Sequence, residues 1–130
     1  MVIFLIYLML SWFGIGAWLI FDPAALESYA GVAALTPTGE TELRAMYGGM
    51  ELAIGGAALL ALLQPRWRCH VLFLNGVVAG GIAGGRLVGV ALAGNMSVYT
   101  LSALTFELST VVICLLLARR LQRSGESNNG

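Results

Sequence analysis

Glu51, Arg86 and Glu107 are the residues best placed to do chemistry, because each stands near the middle of a long apolar run. An ionisable side chain at the centre of a bilayer costs about 3 kcal/mol or more, so each needs a partner, a pathway or a site. Helical spacing gives them companions. Arg44, Tyr47, Gly48, Glu51 and Gly55 fall on one face at 3.6 residues per turn, and Asn75, Ile82 and Arg86 fall on a second. Thr100, Glu107, Thr110 and Cys114 form a third, mildly polar face. The candidate ligand-binding set is therefore Arg44, Tyr47, Glu51, Asn75, Arg86 and Glu107. A neutral carboxylic acid beside an arginine and Tyr47 would bind a carboxylate or a quinone-like head group. It would also serve to protonate an oxygenated lipid during isomerisation or cyclisation. The opposing reading is structural. Arg44 and Arg86 against Glu51 and Glu107 is complete neutralisation, and a closed ion-pair network would fix helix register and leave no free acid.

No nucleophile–histidine pair points to a hydrolase, and no residue is assigned as catalytic. His70 is the single histidine, so a two-histidine haem or a His-rich metal site cannot be built within one chain. Cys69 and Cys114 lack CxxC or CxxH spacing. They are expected to stay reduced, on one cytoplasmic side. No metal or cofactor is expected.

The elements that must position these residues are four apolar stretches, Val2–Phe21, Leu43–Leu63, His70–Ala93 and Val98–Ala118. A helix crosses the hydrocarbon core in about 20 residues. Charged residues make up only 11% of the chain, against about 25% in a soluble domain. The expected fold is an all-α integral membrane four-helix bundle over residues 1–120, with a disordered polar tail at 121–130. The first stretch lacks a basic n-region and exceeds a signal-peptide apolar core, so it reads as a retained span. Asp22 reads as an N-cap before Pro23, opening a short interfacial helix Pro23–Ala30 with Leu26 and Tyr29 toward lipid. Gly31 ends it. Thr36–Gly39 reads as loop, with Thr41 capping the second span. In the third span, Gly76, Gly80 and Gly84, and likewise Gly81, Gly85 and Gly89, make two smooth stripes that mark it as a packing hub.

Orientation follows from arginine. Arg66, Arg68, Arg119, Arg120 and Arg123 lie in the turn between spans two and three and in the C-terminal tail. The other two loops carry Asp22, Glu27, Glu40 and Glu42 instead. Both termini are therefore expected in the cytoplasm. Glu51, Arg86 and Glu107 then lie ~12–15 Å deep from the outer face by residue count, while Arg44 is shallow enough to snorkel to the head groups. That shared layer predicts direct pairing of Arg86 with Glu107. It also predicts a cavity open to the outer leaflet, bounded by spans two, three and four and walled by Tyr47, Glu51, Arg86 and Glu107.

The run Thr41-Glu42-Leu43-Arg44-Ala45-Met46-Tyr47-Gly48-Gly49 resembles the signature of a family of short bacterial four-helix membrane proteins catalogued as a domain of unknown function. Pro23–Leu26, Gly85–Gly89 and Glu107 match its pattern too, and the resemblance covers roughly residues 3–120. It implies a four-helix bundle in a bacterial inner membrane and brings no activity with it. Three functions fit the residues. The first is an accessory protein with a structural Arg/Glu core, working with a larger membrane complex or as a homo-oligomer. The second is binding or acid-catalysed conversion of a lipophilic small molecule, and the third is proton or ion conduction by an oligomer. The lipid bilayer is the one partner common to all three. No basic patch with interleaved aromatics is present, which argues against nucleic acid.

Overall fold

The apolar runs become helices, and the connections between them follow the capping chemistry of a few residues. Residues 1–127 are described by the computed structural model, and no strand occurs among them. In chain order the elements are α1 (Val2–Phe21), α2 (Ala25–Ala30), α3 (Pro37–Leu43), a π-helical turn (Arg44–Gly49) and α4 (Met50–Leu63). A 3₁₀ turn (Pro65–Trp67), α5 (Arg68–Ala93) and α6 (Val98–Ser127) follow. Four helical segments are long and apolar enough to cross a membrane: Val2–Phe21, Pro37–Leu63, Pro65–Ala93 and Val98–Arg123. Helix α6 continues to Ser127, and the rest of the expected disordered tail, residues 128–130, lies outside the described residues.

The chain divides into two compact units between Pro65 and Arg66. In the first, α1 lies against the π turn and α4 with backbone nearly touching backbone. A Cβ on Gly16 would sit 2.8 Å from both Gly48 O and Leu52 N, and one on Gly55 would sit 3.0 Å from Phe13 N. Gly48 is likewise pressed onto Ile20. Close approach of this kind supplies the van der Waals contact that holds helices together in lipid.

Several local expectations are corrected. The helix that carries the second apolar stretch starts at Pro37, well before Leu43. Thr36 is its N-cap, with Oγ1 accepting from the Gly39 amide at 3.1 Å and Pro37 at the first helical position. Thr41 caps nothing; its hydroxyl donates back to the Pro37 carbonyl one turn earlier. Asp22 makes no side-chain cap. Its carbonyl accepts from Ala25, and Ala24 occupies the N-cap of α2. Gly31 does end α2, in the left-handed region at φ 69°. Leu26 is turned inward and buried, while Tyr29 is exposed with its edge against Trp18. Pro23, in the turn before α2, is buried as well.

In the second unit α5 and α6 form an antiparallel hairpin, and its turn is written in two residues. Gly94 takes φ 63° to stop α5, and Ser97 Oγ accepts from the Thr100 amide at 3.1 Å to start α6. Gly76 and Gly80 face α6, with Cβ positions 3.3 Å from Cys114 Cβ and 3.6 Å from Val111 Cγ2. The other stripe glycines, Gly81, Gly84, Gly85 and Gly89, meet nothing within 4 Å among the described residues. Helix α5 is thus a packing hub over only part of its glycine pattern, and the tightest glycine contacts are in the first unit.

Candidate functional site

The six candidate residues fall three to each unit. Arg44, Tyr47 and Glu51 belong to the first; Asn75, Arg86 and Glu107 belong to the second.

Arg86 and Glu107 meet across the hairpin. The tight Gly94–Ser97 turn sets the register, so residues at similar distances on either side of it face each other. Arg86 Nε donates to both carboxylate oxygens of Glu107, at 3.1 and 3.2 Å, and Nη2 donates to Oε1 at 2.7 Å. The Glu107 side chain is only 5% exposed and that of Arg86 24%. The Tyr99 ring, in the first turn of α6, has its centroid 5.6 Å from the guanidinium carbon and covers its face. A forked, charge-assisted pair of this geometry holds two helices at a fixed height. It leaves the carboxylate fully engaged.

Arg44 takes a different partner from the one its helix face suggests. Its Nη2 pairs with Glu40 Oε1 at 2.7 Å, one turn earlier, and its Nε donates to the Ile20 carbonyl at 2.9 Å. Helix α1 has no basic residue in its last turn, so Arg44 acts as its C-terminal cation from the neighbouring helix. The side chain remains half-exposed and is held by Glu40 and by the end of α1.

Glu51 is left without that arginine. Its Oε2 is enclosed and hydrogen-bonds to nothing among the described residues. It stands just after the π turn, where the Met50 amide reaches the Ala45 carbonyl five residues back. Such widened turns often mark functional positions. Tyr47 sits within the turn and is 37% exposed.

Asn75 is 1% exposed; its Nδ2 donates to the Val71 carbonyl at 3.1 Å and its Oδ1 has no partner among the described residues. Thr110, also 1% exposed, has an unbonded hydroxyl oxygen. Cys114 is a buried free thiol against Gly76, and Cys69 reaches the Ala118 carbonyl at 3.8 Å. His70 is exposed, with its ring 6.0 Å from that of Trp67.

Sequence reasoning missed Glu40 as the partner of Arg44, Tyr99 as the cover of Arg86, and the π turn. Glu40 was readable as an acid four residues before an arginine. Gly48-Gly49, a pair with weak helix preference, was the available hint of an irregular turn.

A family model described as a domain of unknown function, DUF4345, matches residues 1–118. The chain belongs to the DUF4345 family. Arg44, the π turn, Glu51, Arg86 and Glu107 all lie within the DUF4345 match. No curated protein and no solved structure matches the chain.

Proposed function

We propose that this DUF4345 chain is a multi-pass protein of the bacterial cytoplasmic membrane that works as a non-catalytic partner of other membrane helices. The observation that carries the reading is the closure of Arg86 on Glu107, which engages the most deeply buried charge in holding the hairpin. Arg44 is similarly engaged by Glu40 and by the end of α1. Gly81, Gly85 and Gly89, on α5 with nothing against them among the described residues, offer a smooth face for a partner helix. The test is affinity purification from native membranes in mild detergent. A stoichiometric membrane partner is expected, lost on Gly85→Leu and kept on Glu107→Gln. A chain that purifies alone, or a partner indifferent to Gly85→Leu, would reject the reading.

Both termini are assigned to the cytoplasm, because five arginines gather on one side and acidic residues on the other. In a background lacking Cys69 and Cys114, Thr38→Cys is expected to react with an impermeant thiol reagent in whole cells. Gln122→Cys should react only after lysis. The opposite pattern would invert the orientation.

A second reading is favoured by Glu51 alone. An enclosed carboxyl oxygen with no partner beside a π turn suits a lipophilic ligand that donates a hydrogen bond, such as a quinol or a hydroxylated lipid. Organic extraction of the purified chain should then release one enriched lipophilic compound. Glu51→Leu should reduce its yield about tenfold, since a site built to hydrogen-bond a group discriminates strongly once that bond is lost. Equal yields from both proteins would dismiss this reading. A proton leak in liposomes that disappears with Glu51→Leu would move the carboxyl to the conduction reading.

A further inference from the structure

The two ends of the α5–α6 hairpin differ sharply in charge. At the turn, Gly94-Asn95-Met96-Ser97 carries none. At the other end the register brings the start of α5 beside the last turns of α6, as the contact from Cys69 Sγ to the Ala118 carbonyl shows. Arg66 and Arg68 therefore share that end with Arg119, Arg120 and Arg123. From residue 66 to residue 123 the sole carboxylate is Glu107, which is engaged by Arg86. Beyond the Arg86–Glu107 pair, residues 66–130 hold five arginines and one acid, Glu126, so the stretch is net positive. The start of α5 adds to it, since Trp67 at the N-cap supplies no side-chain hydrogen bond to the first amides. Trp67 is 41% exposed, with Arg66 over its ring at 5.9 Å. An exposed aromatic of this kind settles at head-group level.

We propose that this arginine end is a binding site for the head group of an anionic phospholipid of the surrounding bilayer. The chemistry is a phosphodiester meeting several guanidinium groups. Arginine presents paired N–H donors that match phosphate oxygens, and it binds them more specifically than an ammonium does. Clusters of four or more basic residues at the end of a spanning helix recognise anionic lipid in this way. A zwitterionic lipid brings a cation to the same place and gains less. The occupant is lipid, because the patch continues directly from two spans and Trp67 sits at its edge.

The experiment is native mass spectrometry of the full chain in mild non-ionic detergent, titrated with phosphatidylglycerol or phosphatidylcholine of the same acyl chains. Phosphatidylglycerol is expected to bind at least tenfold more tightly, and the preference should fade at high salt. Each arginine near an anionic surface contributes a factor of about five, so Arg66→Gln with Arg68→Gln should weaken phosphatidylglycerol about 25-fold. Arg119→Gln with Arg120→Gln should do the same, while phosphatidylcholine binding stays constant and lysine replacements keep most of the preference. Equal binding of the two lipids by the unmodified chain would overturn the proposal, and that measurement needs no variant to fold. A preference that survives both glutamine pairs would overturn it too. So would tighter binding of an acidic peptide than of phosphatidylglycerol, which would assign the patch to a protein partner.

Discussion

Arg86→Leu and Glu107→Leu are each expected to destabilise the protein by about 3–5 kcal/mol, and the double variant should recover part of that loss. The reason is the asymmetry of a buried ion pair. Removing one member leaves the other enclosed and uncompensated, whereas replacing both by apolar groups of similar size removes the problem together with the pair. Glu107 is the sharper case, because its side chain is only 5% exposed and its carboxylate accepts three hydrogen bonds from one guanidinium. Arg86→Leu should therefore cost at least as much as Glu107→Leu, since the stranded carboxylate has less access to water than the stranded guanidinium. Arg86→Lys should fall between, keeping the charge but losing the fork and the stacking on Tyr99. Thermal unfolding in detergent, read as a double-mutant cycle, measures the coupling. Additive losses would mean that the two side chains do not hold each other.

That pair was legible in the sequence because two independent signals agree on it. Charge in an apolar run demanded a partner, and a four-residue turn with glycine and serine at its ends left little freedom in which residues face. Local signals alone were less reliable. Thr36-Pro37-Thr38-Gly39 contains the residue types of a turn, and the same residues make a well-formed helix start: an N-cap threonine, proline at the first position and a glycine amide three residues on. Composition cannot separate those two meanings; only the hydrogen bond from the Gly39 amide does. The helix start moved accordingly, and with it the surroundings of Arg44, which found Glu40 on the added turn.

Facing was legible only where the helix is regular. The stripe from Arg44 to Gly55 assumed 3.6 residues per turn, but the Met50 amide reaches back five residues to Ala45. Gly48 and Gly55 still turn toward α1, while Arg44 is drawn to the Ile20 carbonyl and Glu51 is left with an unbonded oxygen. Glycine spacing had a similar limit. A four-residue repeat says that a smooth stripe exists and cannot say what lies against it. The most regular stripe, Gly81-Gly85-Gly89, meets nothing among the described residues, whereas Gly16, in a short patch without the repeat, makes the closest backbone approach.

Gly16→Ala should therefore destabilise the protein more than alanine at any stripe glycine, although it adds one methyl group. The new Cβ would lie 2.8 Å from Gly48 O and from Leu52 N, and both are main-chain atoms. A flexible side chain swings aside; a helix backbone must move as a body. Overpacking of this kind costs about 1–3 kcal/mol. The displacement would also pull Ile20 away from Arg44 and stretch the 2.9 Å bond that caps α1, which places Gly16→Ala toward the upper end of that range. Gly76→Ala should cost less, because its nearest neighbour is Cys114 Cβ at 3.3 Å and a few tenths of an ångström of give suffices. Gly84→Ala meets nothing within 4 Å and should be neutral or slightly stabilising, through the better helix preference of alanine. Thermal unfolding of the three variants in one detergent gives the order directly. If Gly84→Ala proves as costly as Gly16→Ala, backbone contact between α1 and the second span is not what holds the first unit together. The glycine face of α5 would then be in contact with something of its own.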